Sequence, residues 1–120
     1  MKSVIRSLTF DCANPTLLAE FWSKTLGYEI KDIDEEGAVV VDPTGQNSRL
    51  LFIIVPEGKT VKNRLHFDLT PDTTKQAEVE RLLGLGAKIF QTFDGWVVMQ
   101  DPEGNEFCVE NGLEDKKANS

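Results

Sequence analysis

The stretch "LGYEI", residues 26–30, returns as "LGAKI" at residues 85–89, and "DPTG" at 42–45 returns as "DPEG" at 101–104. Both pairs recur at one offset, 59 residues (26 to 85, 42 to 101). Two separate signals at one offset mean that the chain is built twice on one plan. The 120 residues divide into two halves of about sixty, with "PEGKTVKN", Pro56 to Asn63, as the linker between them.

Working outward from those signals, each half reads as β-α-β-β-β. In "SVIRSLTFDC", Leu8, Phe10 and Cys12 alternate with Ser7, Thr9 and Asp11, the pattern of a half-buried strand. Asn14 followed by Pro15 is a helix start, a capping side chain and then a proline where no amide is needed. Leu18, Phe21, Trp22 and Leu26 make one apolar stripe at helical spacing, and Gly27 ends the helix. "YEIKDI", "GAVVVD" and "RLLFIIV" read as strands, with Asp42-Pro43-Thr44-Gly45 as a type I turn.

The second half repeats the order. "RLHFDLT" is the first strand, Thr73 with Gln76 reads as a capping box, Val79, Leu82 and Leu83 form the helix stripe, and Gly86 ends it. "AKIFQ", "GWVVMQ" and "EFCVEN" are strands. The class is α+β. The domain spans residues 1–113, as modules 1–56 and 64–112, and the polar tail 114–120 is expected to fray.

Composition narrows the function classes. Net charge is −7 and the pI is near 4.7, and the basic residues form no run, so nucleic acid is not expected as a partner. An acidic balance favours solubility and, if focused in a cleft, a cationic ligand. The N-terminal apolar run is broken by Arg6 and Asp11, which is no signal peptide, and no stretch is long and apolar enough for a membrane. Two cysteines, Cys12 and Cys108, are too few for a disulfide scaffold or a cysteine zinc site, and point to the reducing cytoplasm.

Two βαβββ modules, "AEFWSKTLGYEI" after the first strand, "RLHFDL", "LGLGAKIF" and "DPEGNEFCVE" together resemble the glyoxalase-like family of the vicinal oxygen chelate superfamily, over about Val4 to Asn111. That superfamily also holds glyoxalase I, bleomycin-resistance proteins and extradiol dioxygenases. The resemblance implies a cup-shaped sheet with helices outside, a homodimer, and a metal on four side chains, one from the first and one from the last strand of each module. Those places fall on Ser7, Ile53, His66 and Cys108. A divalent metal wants three or four His, Cys, Asp or Glu ligands, so the expectation is a degenerate site, with no metal and no other cofactor.

If the apolar residues of both first strands face the helices, Ser7, Thr9, Asp11, His66, Asp68 and Thr70 face the cavity, with Cys108 beside them. A buried row of this kind needs water, itself or a small organic ligand as partner. His66, the only histidine, is a ligand contact, a histidine held in the wall, or a general base. Cys12 is expected in the core, and Cys108 as a small buried hydrophobe rather than a nucleophile. Trp22 reads as core; Trp96 reads as a rim aromatic or a subunit contact; Glu106 and Glu110 read as solvated charges. Two functions follow: a small-molecule-binding protein for a cationic or polar ligand, or a metal-independent isomerase or lyase with His66 as base.

Overall fold

The computed structural model describes residues 1–118. The chain forms two units, Met1–Gly58 and Lys59–Ser120, that meet inside the predicted linker. The first holds β1 (Ser7–Cys12), α1 (Pro15–Leu26), β2 (Glu29–Ile33), β3 (Gly37–Val41) and β4 (Arg49–Ile54). The second holds β5 (Asp68–Leu69), α2 (Lys75–Leu85), β6 (Lys88–Thr92), β7 (Trp96–Gln100), β8 (Glu106–Glu110) and α3 (Leu113–Ala118). The βαβββ plan is therefore present twice. Its sheets run β1-β4-β3-β2 and β5-β8-β7-β6. The short connections after each helix give antiparallel neighbours, while β1 lies parallel to β4 and β5 to β8.

Local chemistry explains the boundaries. Asn14 caps α1 by accepting the Leu17 N–H at 3.1 Å, Pro15 follows it, and Gly27 leaves the helix at φ 71°. Asp42 and Asp101 shape matching turns: the Gly45 and Gly104 N–H groups donate to their carbonyls at 3.0 and 2.8 Å. In the first unit Leu18, Phe21 and Trp22 of α1 are buried with Val40, Leu50 and Phe52 of the sheet, and Cys12 joins them. Phe10 meets the rings of Trp22 and Phe52 at 5.9 and 5.2 Å. In the second unit Val79 and Leu82 are buried with Val97, Met99, Phe107 and Val109.

Four expectations need correction. The cap of α2 is Thr74, whose hydroxyl accepts the Ala77 N–H at 3.1 Å; the Thr73 carbonyl is taken by the Glu114 N–H of α3. Ala77 then holds the third helical position, so Gln76 closes no capping box. Leu83 is 42% exposed, so the buried stripe of α2 is only Val79 and Leu82, with the Glu78 side chain beside it. The tail does not simply fray: Leu113–Ala118 is helical, because the Asp115 carboxylate accepts the N–H groups of Gly112 at 2.7 Å and Lys75 at 2.6 Å. Residues 119–120 of that tail lie outside the described residues. Finally, "RLHFDLT" is a strand only at Asp68–Leu69, and Leu65 is 72% exposed instead of facing a helix. The chain before Phe67 is drawn off the ladder by Glu106, whose carboxylate accepts the Asn63 N–H at 3.0 Å.

Candidate functional site

In the first unit the parity of β1 is as the alternation predicts. Phe10 and Cys12 lie on the helix side, and Ser7, Thr9 and Asp11 lie on the other. The parallel register then pairs Ser7 with Arg49, Thr9 with Leu51 and Asp11 with Ile53. Arg49 Nε donates to the Ser7 hydroxyl at 2.8 Å. The residue beside Ser7 is therefore a cation, and Ile53 stands two pairs further along beside Asp11. On the same sheet, Val39, Leu51 and Ile53 line a cavity of about 290 Å³ whose rim carries Asp32, Asp34 and Glu36. The Asp34 carboxylate is engaged locally, accepting the Glu36 and Gly37 N–H groups at 2.8 and 3.0 Å.

In the second unit Asp68 and Cys108 are direct partners across β5 and β8. His66 precedes the strand, with Nδ1 3.7 Å from Asp68 Oδ1. One ligand atom from each of His66, Asp68 and Cys108 lies within 4.8 Å of the others, the one such cluster among the described residues. These three could hold a metal ion only with the thiol deprotonated. Burial pushes the Cys108 thiol up, and the charge and hydrogen bond of Asp68 push it further. A thiol held protonated is a poor nucleophile, and Cys108 is half-buried rather than the buried hydrophobe expected. Thr70 donates from Oγ1 to Glu110 Oε2 at 3.3 Å, which ties that end of the row to β8.

The predicted row thus falls into two sets. Ser7, Thr9 and Asp11 share one face of the first sheet. His66, Asp68 and Thr70 with Cys108 and Glu110 gather at one edge of the second. His66 and Asp68 are open, with side chains 38% and 55% exposed. Trp22 is core, and Trp96 stacks on Phe93 at 4.7 Å across the hairpin tip, beside a cavity of about 290 Å³ shared with Glu110, Asn111 and Lys116.

Glu106 overturns its reading as a solvated charge. It is 4% exposed and bound to Lys59 Nζ at 2.7 Å and to the Asn63 N–H. Burial would raise its carboxyl, and these donors outweigh that, holding it below the usual carboxylate range. Sequence reasoning also passed over Arg49. Nothing in "RLLFIIV" marks it, since its partner Ser7 is 42 residues away and only the parallel register joins them.

The profile of the glyoxalase-like domain family matches residues 7–110. No curated protein matches the chain. Among solved structures, a possible glyoxalase from Bacillus cereus is 19% identical, with 91% of this chain and 99% of that one covered and a TM-score of 0.70. A protein of Agrobacterium tumefaciens is 12% identical, with 92% and 98% covered and a TM-score of 0.73. The fosfomycin resistance protein of Listeria monocytogenes, crystallised with Mn(II) and a dihydroxypropylphosphonic acid, is 14% identical, with 97% and 96% covered and a TM-score of 0.70. At these identities the likeness is one of fold. No helix among the described residues is long and apolar enough to cross a membrane.

Proposed function

The chain belongs to the glyoxalase-like domain family, and on that premise we propose that it is a small-molecule-binding protein with a degenerate metal site. The observation that carries this reading is the Arg49–Ser7 bond. Where the family would place a metal ligand in the first unit, a neutral hydroxyl is already bonded to a guanidinium, and Ile53 offers no donor atom. A second cation there would meet a fixed positive charge.

The candidate contacts in this reading are, within the first unit, Ser7, Thr9 and Asp11, with Ser7 facing a hydrogen-bonding rather than a cationic group, and, within the second, His66, Asp68, Thr70 and Cys108. Asp68 is the strongest element, a half-exposed carboxylate with His66 beside it, which complements a cationic or hydrogen-bond-donating group. Nucleic acid is not a partner in this reading, given the net charge of −7. The protein works as a homodimer in the cytoplasm; the latter rests on two cysteines that form no disulfide. A thermal-shift screen of cationic and polar aromatic compounds tests the binding. Stabilisers are expected, and a variant combining His66→Phe and Asp68→Asn should lose the response. Full response in that variant would overturn the assignment.

One observation favours a second reading, a metal-independent isomerase or lyase. His66 is partly exposed with Asp68 Oδ1 3.7 Å from Nδ1, so the imidazole is oriented and still reachable by a substrate. Compounds that stabilise the protein would then exchange a carbon-bound proton with D₂O, at a rate lost in His66→Gln. No exchange in any of them would sink this reading.

A further inference from the structure

The Arg49 guanidinium is only partly engaged within the protein. Its Nε is spent on the Ser7 hydroxyl. Among the described residues it has no other hydrogen-bond partner and no carboxylate at ion-pair distance. None of its unpartnered nitrogens is sealed from solvent. The Nε bond fixes the plane of the group, and the two Nη atoms remain as a fork, the geometry that matches a carboxylate in bidentate fashion.

The surroundings say what the rest of the ligand is. Leu51 and Ile53 follow Arg49 on the same face of β4, as residues two and four positions on. They and Val39 line the cavity of about 290 Å³. Asp34 and Glu36 stand near the Ile53 end, Asp32 lies beside Val39, and Asp11 pairs with Ile53, about 13 Å along the strand from Arg49. A ligand with its anionic end on Arg49 would lay an apolar body on Val39, Leu51 and Ile53. A second anionic group at its far end would meet this acidic surround and be rejected.

We propose that the first unit binds a monocarboxylate with a short apolar body, its carboxylate on the Arg49 fork and its body over Val39, Leu51 and Ile53. This goes beyond the reading above: it shares Ser7 with it and uses neither His66 nor Asp68. The guanidinium supplies the fixed positive charge, and Ser7 positions it.

The test titrates hexanoate, hexanol, hexylammonium and adipate into the full-length chain, following backbone amide shifts of residues 49–54 by NMR. Hexanoate should bind saturably. Hexanol and adipate should bind about tenfold or more weakly, because one lacks the charge-assisted bonds and the other brings a second charge to the acidic rim. Arg49→Gln should cost hexanoate the same factor, and Arg49→Lys should recover part of it, keeping charge without the fork. The His66→Phe, Asp68→Asn variant should bind hexanoate like the parent, which separates this site from the reading above. Equal affinity for hexanoate and hexanol, or unchanged hexanoate binding in Arg49→Gln, overturns the proposal. If Arg49→Gln does not fold, the comparison of hexanoate with hexanol in the parent decides it alone.

Discussion

Lys59 Nζ lies 2.7 Å from Oε1 of Glu106, and the Asn63 N–H donates to the same oxygen at 3.0 Å. One buried carboxylate thus ties the start of the second unit down to β8. Glu106→Gln keeps the shape and removes the charge. Lys59 is 22% exposed and can rehydrate, so the loss stays below that of a sealed pair, at about 1–2 kcal/mol. The urea midpoint should fall with an unchanged slope. Trypsin cleavage after Lys62 and Arg64 should speed up, since the released segment is no longer tied. An unchanged midpoint together with unchanged cleavage would show that the tie contributes nothing.

The same carboxylate sets an acid limb. Burial raises Glu106, its bonds to Lys59 and Asn63 outweigh this, and its folded value sits below the unfolded one. A depressed carboxyl contributes stability that is complete above the unfolded value of about 4.3 and is lost as pH falls through the folded value. The stability gap between parent and Glu106→Gln should therefore be constant above about pH 5.5 and close as the pH falls further. Asp42 and Asp115 are depressed in the same direction, by backbone N–H bonds first, so the variant keeps a shallower acid limb of its own. Urea midpoints from pH 2.5 to 7 measure this; parallel curves throughout would refute it.

Cys108 should resist alkylation at neutral pH. Its thiol is raised by burial first and then by the Asp68 carboxylate opposite. Such a raised thiol contributes stability below the unfolded value of about 8.5, lost as pH rises through the folded value. Iodoacetamide labelling, read by peptide mass to separate it from buried Cys12, should be slow at pH 7.5 and faster in Asp68→Asn. Labelling at the rate of an unstructured thiol peptide would contradict this.

Elemental analysis of dialysed protein at pH 7 should find no stoichiometric Zn, Ni, Fe or Mn. The expectation rests on the first unit, where Arg49 is bonded to Ser7 and Ile53 offers no donor atom. One metal per chain, lost in His66→Ala, would show the opposite.

What was legible in the sequence was local. Asn14-Pro15, Gly27, Gly86 and the two Asp-Pro turns each carry their geometry in adjacent residues, and the 59-residue offset joins them into two modules. What was not legible depends on contacts between distant residues. Arg49 reaches Ser7 only through a parallel register, Glu106 is buried with Lys59 and Asn63 bonded to it, and Thr74 rather than Thr73 caps α2, with α3 bonded to the Thr73 carbonyl. The site suffered more than the fold for that reason. Identity of the residues in the polar row was readable, but which atoms were already engaged was not.

The docking of α3 yields the last prediction, a pair of opposite glycine substitutions. Gly112 is buried at the entry to α3, and its N–H donates to Asp115, which also accepts from Lys75 at the start of α2. A Cβ there would overlap the carbonyl oxygen of Thr73 and press on Pro71, both backbone, with no flexible side chain to give way. Gly112→Ala should therefore push α3 off α2 and cost about 1–3 kcal/mol. Gly84 lies in α2, where a Cβ would meet nothing within 4 Å and the backbone is already helical. Gly84→Ala removes unfolded-state freedom without strain and should stabilise by about 0.5–1 kcal/mol. Thermal unfolding of the two variants should shift in opposite directions. The amides of Lys75 and Glu114 should gain hydrogen-exchange rate in Gly112→Ala alone. If Gly112→Ala unfolds at the parent's temperature with those amides still protected, α3 does not pack on α2 through this glycine.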